Sequence, residues 1–363
     1  MSTLEVNNTT SAAVQDQMVS DKRRLEALPQ LLPIGLLIVL TNFVVFLLFY
    51  SSQSLRKPSN YLLLSLAICD FLNGSVNISL FLLVFIQVVK GSKFLVLLCA
   101  VEVSHNFIAI TAACHILLIT AEKYLAVMRP LKYHVIKKRT ILLAIGGAWI
   151  ISALVAAAPV SWFFMRHRRE RTGLILETAF NVFCLFAVFV VPYTFILFAH
   201  ITMFKKVCKR NRDQDLNGRA RSRVRKKKKT ERKCLIIFAT MATVFVVCWL
   251  PLFVLRLIYS LIGQRLIQND PDVMVIAAQV FLIVRYLTSF INPLLYTFFK
   301  QDFWKALKRK VLKMSRKDFK LTTSDSRPKR RSSKKSTNSN QTDSLKKSRV
   351  QNRRHLCSRV QVV

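Results

Sequence analysis

Residues 61–89 read YLLLSLAICDFLNGSVNISLFLLVFIQVV, and the acid in their midst, Asp70, decides how this chain is folded. As a helix rising about 1.5 Å per residue, the stretch is long enough to cross a hydrocarbon layer roughly 30 Å thick. A carboxylate at that depth costs roughly 2.5–3.5 kcal/mol on insertion scales, so it faces a bundle interior or a wet cavity rather than lipid. Asn73 and Asn77 follow at helical spacing and lengthen the polar stripe. An apolar helix with one polar stripe needs partner helices to receive that stripe.

Six further apolar segments of spanning length flank it, at about 28–52, 94–127, 140–164, 174–204, 234–263 and 273–298, beside 59–89 itself. The third is the most polar, with Glu102, His105, His115, Glu122 and Lys123. The expected fold is all-α: a seven-transmembrane helix bundle over 28–298 behind an extracellular tail at 1–27. Residues 299–314 are expected to form an amphipathic helix on the inner membrane surface. Phe299, Phe303, Ala306 and Leu307 make one face, and Lys300, Lys308 and Lys310 the other. Residues 315–363 are rich in Ser, Thr, Lys and Arg and poor in large apolar residues, so a disordered cytoplasmic tail is expected there.

The chain has 363 residues, 52% of them hydrophobic, and a formal charge of +38. In a soluble domain that charge would point to nucleic acid. Here it is confined to loops and tail, which excludes nucleic acid and leaves membrane lipids as the basic segments' neighbour. The loop after segment two holds only Lys90 and Lys93. The loop after segment three holds Arg129, Lys132, Lys137, Lys138 and Arg139, and the loop after segment five the run 219–229. This alternation places the N-terminus outside and the C-terminus inside a multi-pass plasma-membrane protein. One loop disagrees: Arg166, His167, Arg168, Arg169 and Arg171 fall on the outer side. The first 27 residues lack the apolar core of a signal peptide, so segment one is expected to act as its own anchor. Asn7 and Asn8 head overlapping glycosylation acceptors, and Arg330-Arg331-Ser332-Ser333 suits a basophilic kinase acting on Ser332 and Ser333. The eight cysteines show no metal-binding spacing, and no nucleophile–base pair or cofactor motif argues for an enzyme.

Three further groups of residues narrow the class. Segment six contains Phe245-Val246-Val247-Cys248-Trp249-Leu250-Pro251, segment seven ends Asn292-Pro293-Leu294-Leu295-Tyr296, and segment two carries Leu66-Ala67-Ile68-Cys69-Asp70. Pro251 and Pro293 each remove an intrahelical hydrogen bond and permit a kink. With these residues the chain resembles the rhodopsin-like G-protein-coupled receptors, whose CWxP, NPxxY and LAxxD motifs they match. Asn42, Trp149, Pro192 and Pro130-Leu131-Lys132-Tyr133 fit that family's other landmarks, and the resemblance runs over about 28–313. It implies a cell-surface receptor that passes binding of an extracellular ligand to heterotrimeric G proteins, with arrestin docking on the tail. It implies an activation switch of Glu122, Lys123, Tyr124, Glu231, Phe245, Trp249, Pro251, Asn292, Pro293 and Tyr296. It also implies a polar pocket of Asn42, Asp70, Ser289 and Asn292, which in the family often holds a sodium ion.

The departures are informative. Glu122-Lys123-Tyr124 stands for the family's Asp-Arg-Tyr; lysine keeps the charge but loses the planar five-donor fork, so a looser resting lock is expected, with Lys123 on Glu122 or Glu231. His200 replaces a tyrosine on helix five, and Ala113 a bulky aliphatic on helix three. Ala112 and Thr288 replace a serine and an asparagine of the sodium site, so waters bridging Asp70 to Asn292 are the plainer expectation. No cysteine occurs between Trp162 and Phe183, so Cys99 is not expected to form the family's disulfide to the second outer loop.

Spacing also orders the upper half. Glu102, His105 and Ala109 share a stripe; Arg256 lies two turns above Trp249; Arg285, Ser289, Asn292 and Tyr296 share another. With Tyr259 and Tyr286, the residues Glu102, His105, Arg256 and Arg285 form the candidate ligand site. Two expectations follow. Either Glu102 pairs internally with Arg285 while Arg256 snorkels outward, or the two arginines clamp an anionic group, that of a carboxylate, a lysophospholipid or an acidic peptide. The 166–171 loop would steer such a ligand inward, unless it is simply a solvated charge run. His105 stands where amine receptors carry an aspartate, and Tyr286 where opsins carry a lysine, which argues against both ligand classes. The alternatives are a seven-helix protein that no longer couples, serving as scavenger or partner subunit, and, less favoured, a transporter, for which no internal repeat is visible.

Overall fold

The computed structural model describes residues 31–85, 91–216, 222–267 and 271–324. The expected sites at Asn7, Asn8, Ser332 and Ser333 lie outside the described residues. The chain divides into two units, Met1–Leu312 and Lys313–Val363. In the first, among the described residues, seven helices are long and apolar enough to cross a membrane. They are α1 (Leu31–Ser51), α2 (Pro58–Val84), α3 (Ser92–Met128), α4 (Lys138–Ser161), α5 (Arg171–Lys209), α6 (Thr230–Gly263) and α7 (Ile276–Phe299). A further helix, α8 (Gln301–Ser324), follows. In the second unit, residues 313–324 are its described part, and they are helical. Disorder was expected from 315, but the helical assignment runs ten residues past 314, over a stretch that holds no proline or glycine before Pro328.

We refer to the Glu102 end of the bundle as upper and the Lys123 end as lower. α2 starts on Pro58, whose missing N–H is no loss at a helix's first turn. α3 starts after Gly91, whose φ of 68° only glycine adopts freely. The polar residues of α3 do not interrupt it, because α3 is the central helix, packed against α2, α4, α5 and α6. Outward-facing leucines and valines such as Leu36, Leu143, Leu154 and Val247 stay exposed. In a bilayer such a surface gains nothing by hiding, so close packing and polar contacts hold the helices together. Two are visible at α2: a Cβ on Gly74 would come within 2.7 Å of Ile38 on α1, and Ser65 links His115 of α3 (2.7 Å) to the Trp149 indole N–H of α4 (2.9 Å).

The prolines act as their chemistry requires. Pro192 cannot donate to the carbonyl four residues back, and a π-helical turn at Leu185–Val190 sits just before it. Pro293 leaves the Ser289 carbonyl without its helical partner, and the Asn42 amide of α1 donates to that oxygen at 3.1 Å. A second π turn, Asn73–Asn77, rotates the polar stripe of α2. At the lower end, Phe303 and Ala306 of α8 are buried, with Phe303 edge-on to Tyr296 at 5.4 Å. Phe299, expected on that same apolar face, instead ends α7 and is exposed.

Candidate functional site

The connection from α4 to α5 is folded rather than solvated. A one-turn helix, Phe163–His167, buries Phe163 and turns back through Arg169 at φ 58°, with the Glu170 N–H on the Met165 carbonyl at 3.0 Å. It lies directly on Gly173, in the first turn of α5: a Cβ there would stand 2.5 Å from the Arg166 nitrogen. This close approach delivers Arg166 into the bundle. Its two terminal nitrogens grip both oxygens of Glu102 on α3, at 2.9 and 2.6 Å, and one also reaches Glu177 on α5 at 3.0 Å. Glu177 is oriented by the Trp162 indole N–H at 2.9 Å and the Asn181 amide at 3.3 Å. Burial works against the charge of Arg166, but the two carboxylates outweigh it and hold the guanidinium above its ordinary pKa. Cys99 carries a free thiol, so the tie between this loop and α3 is ionic.

These contacts bound a cavity of ≈ 290 Å³ at the upper end, lined by Glu102, Arg166, Glu177, Asn181, Arg256 and Tyr259 among others. Two expectations are corrected here. Glu102 does not pair with Arg285, because Arg166 takes both its oxygens. The basic loop is not merely a solvated steering run, because its packing on Gly173 turns one arginine inward.

The two remaining arginines are separated. Arg256 lines the cavity and donates to the Asn106 side-chain oxygen, with its guanidinium 5.9 Å from the Phe253 ring. Arg285 is only 1% exposed and is not among the cavity's lining residues. It donates to the Tyr286 hydroxyl at 2.6 Å and contacts the His105 ring nitrogen, so its described hydrogen-bond partners are a phenol and an imidazole rather than a carboxylate. Its guanidinium lies 4.4 Å from the Tyr286 ring and 5.5 Å from Trp249. A joint clamp inside one cavity is therefore not what these side chains form.

Beneath Arg285 runs an aromatic column. Trp249 stacks on Phe245 (5.9 Å, 29°), and Phe245 on Phe189 of α5 (5.7 Å, 13°). Beside it lies a small cleft lined by Ala113 and Pro192, where the short side chain of Ala113 leaves room. At the same depth, the Asn292 amide donates to Asp70 at 3.2 Å. Asn73 donates to the Ser289 hydroxyl at 2.9 Å, Asn77 to Asn73 at 2.8 Å, and Ser104 of α3 to Asn77 at 3.0 Å. The contact between Asp70 and Asn292 is direct, which corrects the expected water bridge. It also leaves the residues a poor fit for sodium: amide N–H donors already engage the carboxylate and the hydroxyl, and Ala112 brings no oxygen.

At the lower end, Lys123 pairs with Glu122 at 2.6 Å and donates to Ser59 of α2 at 2.7 Å. The Tyr133 hydroxyl, from the turn Pro130–His134, donates to Glu122 at 2.5 Å; burial and that carboxylate together raise its pKa above the ordinary value. Tyr124 packs 6.4 Å from Phe195, Glu231 lies at the basic end of α6, and Tyr296 is fully buried.

Sequence reading missed Arg166, Glu177 and Asn106. Glu177 is a lone acid in an apolar span, the signal that singled out Asp70, and the same argument would have found it. Arg166 was read only as one charge of the basic loop, because nothing local sets it apart from Arg168, Arg169 and Arg171.

The fold, seven spanning helices with a proline inside the sixth and the seventh and a polar core between them, is that of a membrane receptor. Residues 41–296 match the family described as 7 transmembrane receptor (rhodopsin family), and the chain belongs to it. An octopamine receptor beta-2R of Chilo suppressalis is 24% identical, over 77% of this chain and 77% of its own length. A 5-hydroxytryptamine receptor 1F of Cavia porcellus is 25% identical, over 82% of this chain and 97% of its own. A 5-hydroxytryptamine receptor 1 of Drosophila melanogaster is 28% identical over 42% of this chain and 28% of its own. The chain is thus a multi-pass receptor that passes an extracellular signal to G proteins, and it is not an enzyme.

Proposed function

We propose that this receptor sits in the plasma membrane with its upper end outside and its tail in the cytoplasm, and that the upper cavity binds its ligand through an acidic group held by Arg256. One observation carries the choice of ligand. Both cavity carboxylates, Glu102 and Glu177, are taken by Arg166, whereas Arg256 meets only the neutral Asn106 oxygen among its described hydrogen-bond partners. The donors left for a ligand are those of a guanidinium, which suits a carboxylate or phosphate. The relatives are named for octopamine and 5-hydroxytryptamine. In this chain His105 touches the buried cation Arg285, which repels an ammonium at that place.

Arg256 lies on α6 above Pro251 and Trp249, so a ligand that draws it inward loads the helix at its proline. The lower end of α6 then opens for the G protein, with arrestin following on a tail phosphorylated at Ser332 and Ser333. Asn7 and Asn8 carry glycans on the outer tail.

The test is a screen of carboxylate- and phosphate-bearing small molecules and lysophospholipids, read as G-protein recruitment in cells. Losing a charge-assisted contact weakens binding by roughly 10- to 100-fold, so an active compound should lose that much potency on Arg256→Gln. An agonist amine that acts equally on both receptors would overturn the reading.

A further inference from the structure

We infer that Glu102 and Glu177 form a guanidinium-binding subsite in the upper cavity, that the chain's own Arg166 fills it, and that this internal cation sets the class of ligand the cavity accepts. The consequence for ligand class rests on the cavity being the ligand site, as proposed above; the subsite itself is defined without any ligand.

The geometry is that of a recognition site rather than a chance surface pair. Two parallel contacts to Glu102 and a third to Glu177 use the planar fork in a way a single ammonium cannot match. The side chains are 20%, 13% and 10% exposed for Arg166, Glu102 and Glu177, so solvent screens the charges weakly. Asn181 holds Glu177 from within α5 itself, and the Trp162 indole reaches it from the residue that caps the loop helix. Both acids stand on long helices, while the arginine is brought by a one-turn helix in a loop. The acidic half of the subsite therefore belongs to the scaffold and the cation to a separate segment.

This division governs the cavity. With Arg166 in place, two carboxylates face two guanidinium groups, and Arg256 is the charge a ligand meets. Without it, two buried carboxylates face Arg256 alone and the cavity favours a cation. Leaving buried acids unpaired is costly, so the vacated subsite should recruit a guanidinium from solution.

The experiment uses the full chain purified in lipid nanodiscs and measures thermal unfolding during a titration with methylguanidinium chloride, with tetramethylammonium chloride as the salt control. Arg166→Ala should melt roughly 5 °C or more below the wild type, and millimolar methylguanidinium should restore most of that loss saturably. The wild type and the double variant Glu102→Gln/Arg166→Ala should not respond. Arg166→Lys, which keeps the charge and the fold, should melt between wild type and Arg166→Ala. An Arg166→Ala protein that melts with the wild type, an equal response of the double variant, or a lysine variant indistinguishable from wild type overturns the inference. Arg256→Gln should stay unresponsive to methylguanidinium, so failure of the anionic-ligand reading and failure of this subsite are read in separate arms.

Discussion

Lys300 follows the last residue of α7 and donates to the Asn60 side-chain oxygen of α2, its ammonium 5.5 Å from the Phe303 ring. Burial, and then the nearby charge of Lys123, pull its pKa from 10.5 to about 8. The folded receptor therefore binds fewer protons here than the unfolded chain between those values. Stability should rise with pH across that window, and the penalty should be complete below about 8. Melting curves from pH 8 to 10 should show this rise in the wild type and a flatter trend in Lys300→Gln; parallel trends would refute it. Nothing in the local sequence announced this residue, because Lys300 reads as one of several cations on a polar helix face. Asp70 was legible for the opposite reason: an acid in an apolar span is conspicuous whatever surrounds it.

Among elements, the loop helix Phe163–His167 and the first turn of α5 behave as one piece. Gly173 makes that possible, since any side chain would strike the backbone of Met165 and Arg166 at 2.7 and 2.5 Å. Backbone cannot yield as a flexible side chain can, so Gly173→Ala should displace the loop and break the bridge from Arg166 to Glu102. We expect a melting loss at least as large as that of Arg166→Ala, and only partial recovery with methylguanidinium, because filling the emptied subsite does not restore the packing of the displaced loop. Unfolding curves of the two variants side by side decide the point. The helices themselves were readable from hydropathy, with α5 and α6 longer than expected by several residues at their basic ends. The loop helix was not: Arg166 and His167, followed by Arg168, Arg169 and Arg171, resemble a solvated run until Phe163 is seen to be buried.

Across the whole molecule, two chains of contacts run through the middle of the bundle between the upper cavity and the lower end. One descends from Arg285 through Trp249 and Phe245 to Phe189; the other from Ser104 through Asn77 and Asn73 to Ser289, beside Asp70 and Asn292. At the foot stands Lys123, held by Glu122 and Ser59. A lysine grips through one ammonium, where an arginine would offer a fork, so the resting state should be less firmly held. Lys123→Arg should lower ligand-independent G-protein recruitment severalfold at matched surface expression. Basal signalling that does not change would count against a loose lock.

The sequence by itself determined the number of spans, the polar core at Asp70 and the helical hydrogen bonds lost at Pro251 and Pro293, because each follows from periodicity or from the chemistry of one residue in its own helix. Tertiary structure alone decided the pairing of charges: Arg166 with Glu102 and Glu177, Arg256 with Asn106, Arg285 with His105 and Tyr286. Stripes tell which residues face inward, but several arginines and acids then compete for one another. The winner is set by distances between helices far apart in the chain, to which no local pattern is sensitive.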